Sequence, residues 1–438
     1  MKNSTLLSAC IVSFSGILKK HFLLIFCFIS LINSQLSAQT NVSGGVFSNT
    51  TWTKANSPYI VTGSIVVYQG VTLTIQPGVV VKVNDGLILE VRGTLNAIGA
   101  ANDSIYITSN SLTPNRTSWL GFRFTVGNEQ INMQYCSGSY ASYFLYSDFN
   151  TNFNIKNSLF SNCNYAFYCD AVGATYTVDN THYVNNDYGI YQMDVGSITN
   201  SVFRNNTTCG MICTGSTVTA CTFTGNTTGL QGHTSAISSC TITNNTTGLN
   251  FSLSGGSSSA KITHNIVSYN NVGFKITGFD PSSSSVTNNL FCHNTVYNVQ
   301  NTSSYNPNLR NNCWCPPDSS GIATSIYDAY DNASIGIVYF SPYNTDSTCA
   351  SVYAGINEIN TAQKSLHIFP NPATTKINFE NIAPETVISI YNAIGDLVKQ
   401  SGIGSEGVLD ISSLSNGIYM ILAENKTEKS FSKLVVQK

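Results

Sequence analysis

From Ile155 onward one template recurs along the chain: an apolar residue, Asn two positions later, an aromatic or branched residue at +5, Asn at +8, then usually Gly and an apolar residue at +11 to +13. The leading positions are Ile155, Val178, Ile198, Val218, Ile237, Ile262, Val286 and Leu309, and the +5 positions are Phe160, Tyr183, Phe203, Phe223, Ile242, Val267, Phe291 and Trp314. Successive +5 residues lie 23, 20, 20, 19, 25, 24 and 23 apart, yet the offset of five inside each unit survives every insertion. An accidental period would not keep it. A unit this short cannot bury its own apolar face, so it must stack on its neighbours. Leucine-rich repeats would need several leucines per unit, and Leu is sparse at the fixed positions. A parallel β-helix remains, with each inward position repeated in a column and coils about 4.8 Å apart.

The asparagines at +2 (Asn157, Asn180, Asn200, Asn288, Asn311) and at +8 (Asn186, Asn206, Asn226, Asn245, Asn270, Asn294) are expected to form ladders at the bends. A side-chain amide there supplies donor and acceptor to the coils on either side. Gly189, Gly210, Gly229, Gly248 and Gly273 are expected at positive φ in a bend where a side chain would obstruct. Cys221 and Cys240 share one slot of adjacent coils and read as small hydrophobes filling a ladder rather than as a disulfide framework. Asn-x-Ser/Thr triplets such as Asn205-Asn206-Thr207 read as turn chemistry.

Composition supports stacked strands. Charged residues are 10% of the chain while apolar content is 42%, and the surplus is Asn, Ser, Thr and Gly. Almost no helix is expected. At the start, Lys19, Lys20 and His21 precede the run Phe22 to Ile32 and the small-residue site Leu36-Ser37-Ala38. This reads as a secretory signal over residues 1–38, because eleven apolar residues are too few to span a bilayer. No membrane span is expected in the mature chain. Its loss leaves 17 basic against 22 acidic side chains and eleven cysteines, an odd number of which at least one stays free. A weakly acidic surface offers no basic stripe for phosphates, so nucleic acid is not expected as a partner.

Two stretches carry family resemblances. SPYIVTGSIVVYQGVTLTIQPGVVVKV, LEVRGTLNAIG and IYITSN, with the later segment Asn311 to Pro342, resemble the opening and closing coils of right-handed parallel β-helix proteins of the pectin-lyase-like superfamily. At the other end SLHIFPNPATTKINF, VISIYNAIGDLVKQ and LDISSLSNGIYMILAENKTEKSFSKLVVQK resemble the type A C-terminal sorting domain of the Bacteroidetes type IX secretion system. The matching residues are Phe369, Pro370, Asn371, Pro372, Tyr391, Gly395, Leu414, Gly417, Tyr419 and Lys433. Their alternation alone gives five or six strands of a small immunoglobulin-like β-sandwich. The expected organisation is a signal peptide (1–38), a β-helix with N-terminal cap and closing coil (39–350), a linker (351–365) and a sorting domain (366–438). The resemblance implies passage through the periplasm to the cell surface or medium, with the secretion machinery as partner.

In pectin-lyase-like enzymes substrate lies along an outward strand face. The corresponding positions here follow the bend glycines and read Tyr168, Tyr191, Ile212, Gln231, Asn250 and Lys275, with Asp170, His233, Ser252 and Thr277 among those two residues on. Tyr168, Asp170, Tyr191, Gln231, His233, Asn250 and Lys275 are the glycan-binding candidates: tyrosines to stack on sugar rings, amides to bond hydroxyls. Hydrolysis needs two carboxylates about 5 to 9.5 Å apart, and Asp170 is expected to have no acidic neighbour. A lyase needs acids for Ca²⁺ and a nearby base, whereas Lys275 is expected several coils from Asp170. Asp328 and Asp331 in the closing segment read as turn residues. No catalytic residue, metal or cofactor is assigned. The leading expectation is a non-catalytic glycan-binding, adhesive or rod-like secreted protein; the alternative is a divergent polysaccharide lyase or glycoside hydrolase.

Overall fold

The computed structural model describes residues 39–345, apart from 172, 193–195, 234, 253–259 and 279–283, and residues 366–438, apart from 367, 380–385, 393–396, 403–406 and 426–428. The signal segment, the linker and Gly395 lie outside the described residues. The chain divides into two compact units, Met1–Val352 and Tyr353–Lys438.

The first unit is a right-handed parallel β-helix. Each coil contributes one strand to each of three ladders: in the coil of Val218 these are Thr217–Thr219, Thr222–Thr224 and Thr228–Gly232. The ladder holding the leading positions is an eleven-stranded parallel sheet, and the other two join in one 24-stranded network. Register carries like onto like. Phe160 pairs with Tyr183, then Phe203, Phe223, Ile242, Val267, Phe291 and Trp314 in a single column. Every member is buried, and the rings of Tyr183, Phe203 and Phe223 stack 4.9 and 4.7 Å apart. Burying each such ring is worth about 1.5–3 kcal/mol.

The +8 asparagines hold the coils in that register. Asn226 donates from its backbone N and from Nδ2 to Asn245 Oδ1, each at 2.9 Å, and Nδ2 also reaches the Phe203 carbonyl at 3.0 Å. The same pattern links Asn186 to Asn206, Asn206 to Asn226, Asn245 to Asn270 and Asn270 to Asn294. A second amide ladder, which the repeat template did not reveal, runs at +3 through Asn265, Asn289 and Asn312. Earlier in that slot Ser158 and Ser201 hydroxyls accept the same backbone N–H bonds.

The +2 asparagines do a different job from the one their recurrence implies. Asn157, Asn180, Asn200, Asn288 and Asn311 all have φ between 44° and 59°, the left-handed region that Asn tolerates better than most residues. Asn180 still stacks on Asn157 at 2.8 Å, but Asn200 bonds the Asp179 carboxylate. The bend glycines differ as well: none has positive φ. They are needed because stacked backbones approach closely, and a Cβ on Gly229 or Gly248 would stand 2.6 Å from the carbonyl oxygen of Gly248 or Gly273 on the next coil.

Among the described residues Cys136, Cys163, Cys209, Cys213, Cys221 and Cys240 are free thiols buried as ladder fillers, and Cys169 is buried in the same way. The closing coil departs from that rule. Cys292 is bonded to Cys315, and Cys313 is disulfide-bonded too, so covalent links brace the end of the stack. There a short helix, Ser319–Thr324, starts at Asp318, whose carboxylate accepts from Gly321 N. Asp328, 5% exposed, accepts from the N–H groups of Tyr330 and Val338 at 2.9 and 2.8 Å, the turn role its position implied.

The second unit packs a three-stranded and a four-stranded antiparallel sheet into a sandwich over a core that includes Ile377, Ile388, Ile390, Leu409, Ile421 and Leu434. Asn371 clamps its last strand, donating to Lys433 O at 2.7 Å and accepting from Val435 N at 2.8 Å. Pro370 and Pro372 flank that clamp on the surface and Phe369 is exposed, while Gly417 opens the strand in which the Tyr419 hydroxyl reaches Ser415 O.

The amide ladder and the left-handed corners should differ in cost. Asn226→Ala strands the Phe203 carbonyl and the donors of Asn206, and is expected to destabilise the rod by about 3 kcal/mol. Asn200→Ala should lose about 1 kcal/mol or less, since Ala220 already occupies that slot with φ 55°. Urea unfolding followed by circular dichroism measures both, and equal midpoints for the two variants would contradict the ladder's role.

Candidate functional site

After each bend the chain buries one residue and turns the next outward. Leu230 is buried and Gln231 half-exposed, and the same alternation holds on neighbouring coils. The register then assembles one outward column. Glu90 pairs with Arg123, Arg123 with Tyr146, Tyr146 with Tyr168, Tyr168 with Tyr191 and Tyr191 with Ile212. From Ile212 it continues through Gln231, Asn250, Lys275 and Gln300 to Tyr327. Five of the seven candidates, Tyr168, Tyr191, Gln231, Asn250 and Lys275, therefore stand in a single file. Asp170 and His233 lie beside it on their own coils. The expected neighbour of His233 breaks step further along: a bulge pairs Ser252 with Gly278, so Thr277 drops out of that file.

Sequence reasoning missed a second tyrosine column. Tyr143 pairs with Tyr165 and Tyr165 with Tyr188, on the other side of the bend. The signal was present as Tyr143-Phe144-Leu145-Tyr146, Tyr165-Ala166-Phe167-Tyr168 and Tyr188-Gly189-Ile190-Tyr191, but the first of these precedes the coil at which the template begins. Six half-buried tyrosines thus line one corner of three consecutive coils.

Their geometry bears on how they can meet a ligand. Tyr146, Tyr168 and Tyr191 are stacked on one another at 5.2 and 5.0 Å, with interplanar angles of 6° and 11°. Tyr143, Tyr165 and Tyr188 stack at 4.9 and 4.6 Å. Rings packed face to face shield each other's faces, and the Arg123 guanidinium covers the outer side of Tyr146, 4.9 Å from its centroid. What the corner presents is ring edges and phenol hydroxyls.

Asp170 also has an acidic neighbour, contrary to expectation. Ser147 pairs with Cys169, which puts the next residues, Asp148 and Asp170, on adjacent coils. Asp148 accepts the Tyr146 hydroxyl and Asp170 the Tyr168 hydroxyl, the latter at 3.4 Å. The Tyr-x-Asp repeat at 146–148 and 168–170 was legible, again one coil before the template. The remaining charged candidates do not converge here: His233 is three coils from Asp170, about 14 Å, and Lys275 five coils, about 24 Å. At the start of the column Glu90 is paired with Arg92 at 2.6 Å and bonded by the Thr125 hydroxyl, and the Arg92 bond holds its carboxyl below the usual range.

Comparison with known proteins gives three matching family profiles. Residues 367–437 match the secretion system C-terminal sorting domain, residues 44–159 the pectate-lyase like β-helix domain, and residues 102–329 the family described as periplasmic copper-binding protein (NosD). No curated protein matches the chain in sequence. Among solved structures, a point mutant of the periplasmic alginate epimerase AlgG is similar at 14% identity, covering 65% of this chain and 78% of its own, with a TM-score of 0.47. An alginate lyase from Paenibacillus sp. str. FPU-7 has 11% identity over 63% of this chain and 93% of its own, TM-score 0.22. A tailspike capsular polysaccharide depolymerase from Acinetobacter baumannii bacteriophage Fri1 has 10% identity over 94% of this chain and 75% of its own, TM-score 0.30.

Protonation at the tyrosine corner follows from its packing. Desolvation, with neighbouring phenols and carboxylates adding to it, pushes Tyr146 and Tyr165 up to about 12 and raises Tyr168 further. These pKa values are raised on folding, so the linked stability is complete below the ordinary value of 10.0 and is lost as pH climbs through about 12. Alkaline titration read by tyrosinate absorbance should show a late-ionising class of tyrosines, and circular dichroism should show unfolding in that same window. Ionisation of every tyrosine near pH 10 with the rod intact would contradict the packing described.

Proposed function

Since the chain belongs to the family described as periplasmic copper-binding protein (NosD), whose profile takes in more than half its length, and ends in a secretion-system sorting domain, we propose that it is an exported, non-catalytic rod that binds extracellular polysaccharide along its outward column. The signal peptide is removed on entry to the periplasm, and the sorting domain hands the rod to the type IX machinery for delivery to the cell surface or medium. There it serves adhesion, or structure at the surface, by holding glycan. The observation that carries this reading is the file from Arg123 to Tyr327: an arginine, phenols, amides and a lysine at the coil spacing of about 4.8 Å, interrupted by Ile212, suited to bonding hydroxyls of one chain laid along the rod. The likeness to a pectate-lyase like domain over residues 44–159 agrees with a carbohydrate partner.

The described residues do not supply a donor set for the copper of the family description. Among the described residues no three His, Cys, Asp or Glu side chains gather to hold a metal ion. Burial pushes the thiols of Cys136, Cys163, Cys209 and Cys213 up to about 12, which keeps them protonated and poor as ligands.

One observation favours a second reading, hydrolysis. Asp148 and Asp170 stand on adjacent coils, about 5 Å apart by coil spacing, which is the separation used by retaining glycosidases. Against it, each carboxylate is already bonded by its own tyrosine. Affinity electrophoresis of the purified full chain through gels containing different polysaccharides tests binding, and assays for new reducing ends and unsaturated products test cleavage. Retardation without products is expected. Cleavage abolished by Asp170→Asn would replace binding by hydrolysis, and mobility unchanged in every gel would rule out the glycan reading.

A further inference from the structure

The stacking that hides the tyrosine faces also decides what the corner can recognise. Along three coils a ligand meets a double rail of phenol edges and hydroxyls, from Tyr143, Tyr165 and Tyr188 on one side and Tyr146, Tyr168 and Tyr191 on the other. Beside the second rail lie the carboxylates of Asp148 and Asp170, one per coil. Of the arginines that border the corner, Arg116 is paired with Asp187 and bonded to the Thr207 hydroxyl, while Arg123 lies over the Tyr146 ring and keeps its charge. The local balance is therefore hydroxyls and the two carboxylates Asp148 and Asp170 against the guanidinium of Arg123.

We propose that this corner selects uncharged, hydroxyl-rich polysaccharide and turns away polyuronates, and that it reads the polymer through phenol hydrogen bonds rather than ring stacking. The inference rests on the glycan-binding reading and adds the class of glycan. A neutral sugar chain offers O–H donors to the aspartates and both donors and acceptors to the phenols. A uronate chain replaces part of that set with carboxylates, which bring like charge against Asp148 and Asp170 at close range. The Tyr146 and Tyr168 hydroxyls already donate to Asp148 and Asp170, so toward a sugar they stand as acceptors for its O–H groups. The lysine of the column, Lys275, is four coils from Tyr191, about 19 Å along the rod, and does not offset the acids of the corner.

The test compares soluble neutral polymers (a β-glucan, a mannan, dextran) with alginate and polygalacturonate, each with and without added calcium, by affinity electrophoresis and calorimetry on the full chain. At least one neutral polymer should bind about tenfold or more tightly than either polyuronate, with calcium making no difference. The triple variant Tyr146→Phe/Tyr168→Phe/Tyr191→Phe keeps the stacked rings and removes only hydroxyls, so it should lose about tenfold or more in affinity with an unchanged thermal midpoint. Polyuronates bound as tightly as neutral polymers, with or without calcium, would overturn the selectivity while leaving glycan binding intact. Full affinity in the triple variant would overturn recognition by hydroxyls. The comparison of polymers on the unaltered chain stands even where that variant does not fold, and failure to bind any polymer would bring down the glycan-binding reading itself.

Discussion

The structure depends on a buried amide that faces two coils at once. Each +8 asparagine accepts the backbone N–H of the coil before it and donates to a carbonyl of that coil's own +5 strand, at positions where the chain turns inward and the ladder hydrogen bonds are interrupted. Removing it would leave buried donors and acceptors unpaired, which costs more than the bonds themselves contribute. Because the amide must lie directly above its counterpart, it fixes the registry of the coils to the residue. Insertions are then confined to the connections between strands, which explains why the repeat length varies while the offset of five does not.

Registry of that strictness makes the surface a copy of the repeat. Whatever residue type recurs at an outward position becomes a column at the coil spacing, whether or not a ligand exists. At the tyrosine corner this produces a consequence that composition alone would misjudge: aromatic residues usually taken as platforms for sugar rings spend their faces on each other, and their hydroxyls become the accessible chemistry. The same registry sets the Asp148 and Asp170 carboxylates one coil apart. It also holds His233 and Lys275 far from them, so the charged groups of the column act separately.

The two ends of the chain are organised by other means. At the closing coil the +5 column reaches Trp314, the Cys292–Cys315 bond ties its last rungs together, and the segment at Tyr339 and Asn344 bridges onto that coil. In the C-terminal unit hydrophobic alternation builds an ordinary antiparallel sandwich, and Asn371 anchors its final strand through two backbone bonds. The residues that make the sorting-domain resemblance specific thus include one whose physical task is evident, and Phe369, though exposed, pairs with Asn378 and accepts its side-chain amide at 3.1 Å.

The repeat in the sequence by itself determined the parallel β-helix, the inward +5 column and the file of Tyr168, Tyr191, Gln231, Asn250 and Lys275, because a period of apolar residues that cannot be buried alone admits only stacking, and stacking puts equal positions in line. The small C-terminal sandwich was legible for the same kind of reason, alternation between turn residues, and its sorting role only from the resemblance of its motifs to that family. Tertiary structure alone decided three matters: that the bend glycines answer to a carbonyl of the next coil rather than to positive φ, that the tyrosines stack on one another, and that Asp148 joins Asp170. Each depends on a neighbour some twenty residues away, and a template read along the chain shows which position repeats but not which atom stands over it.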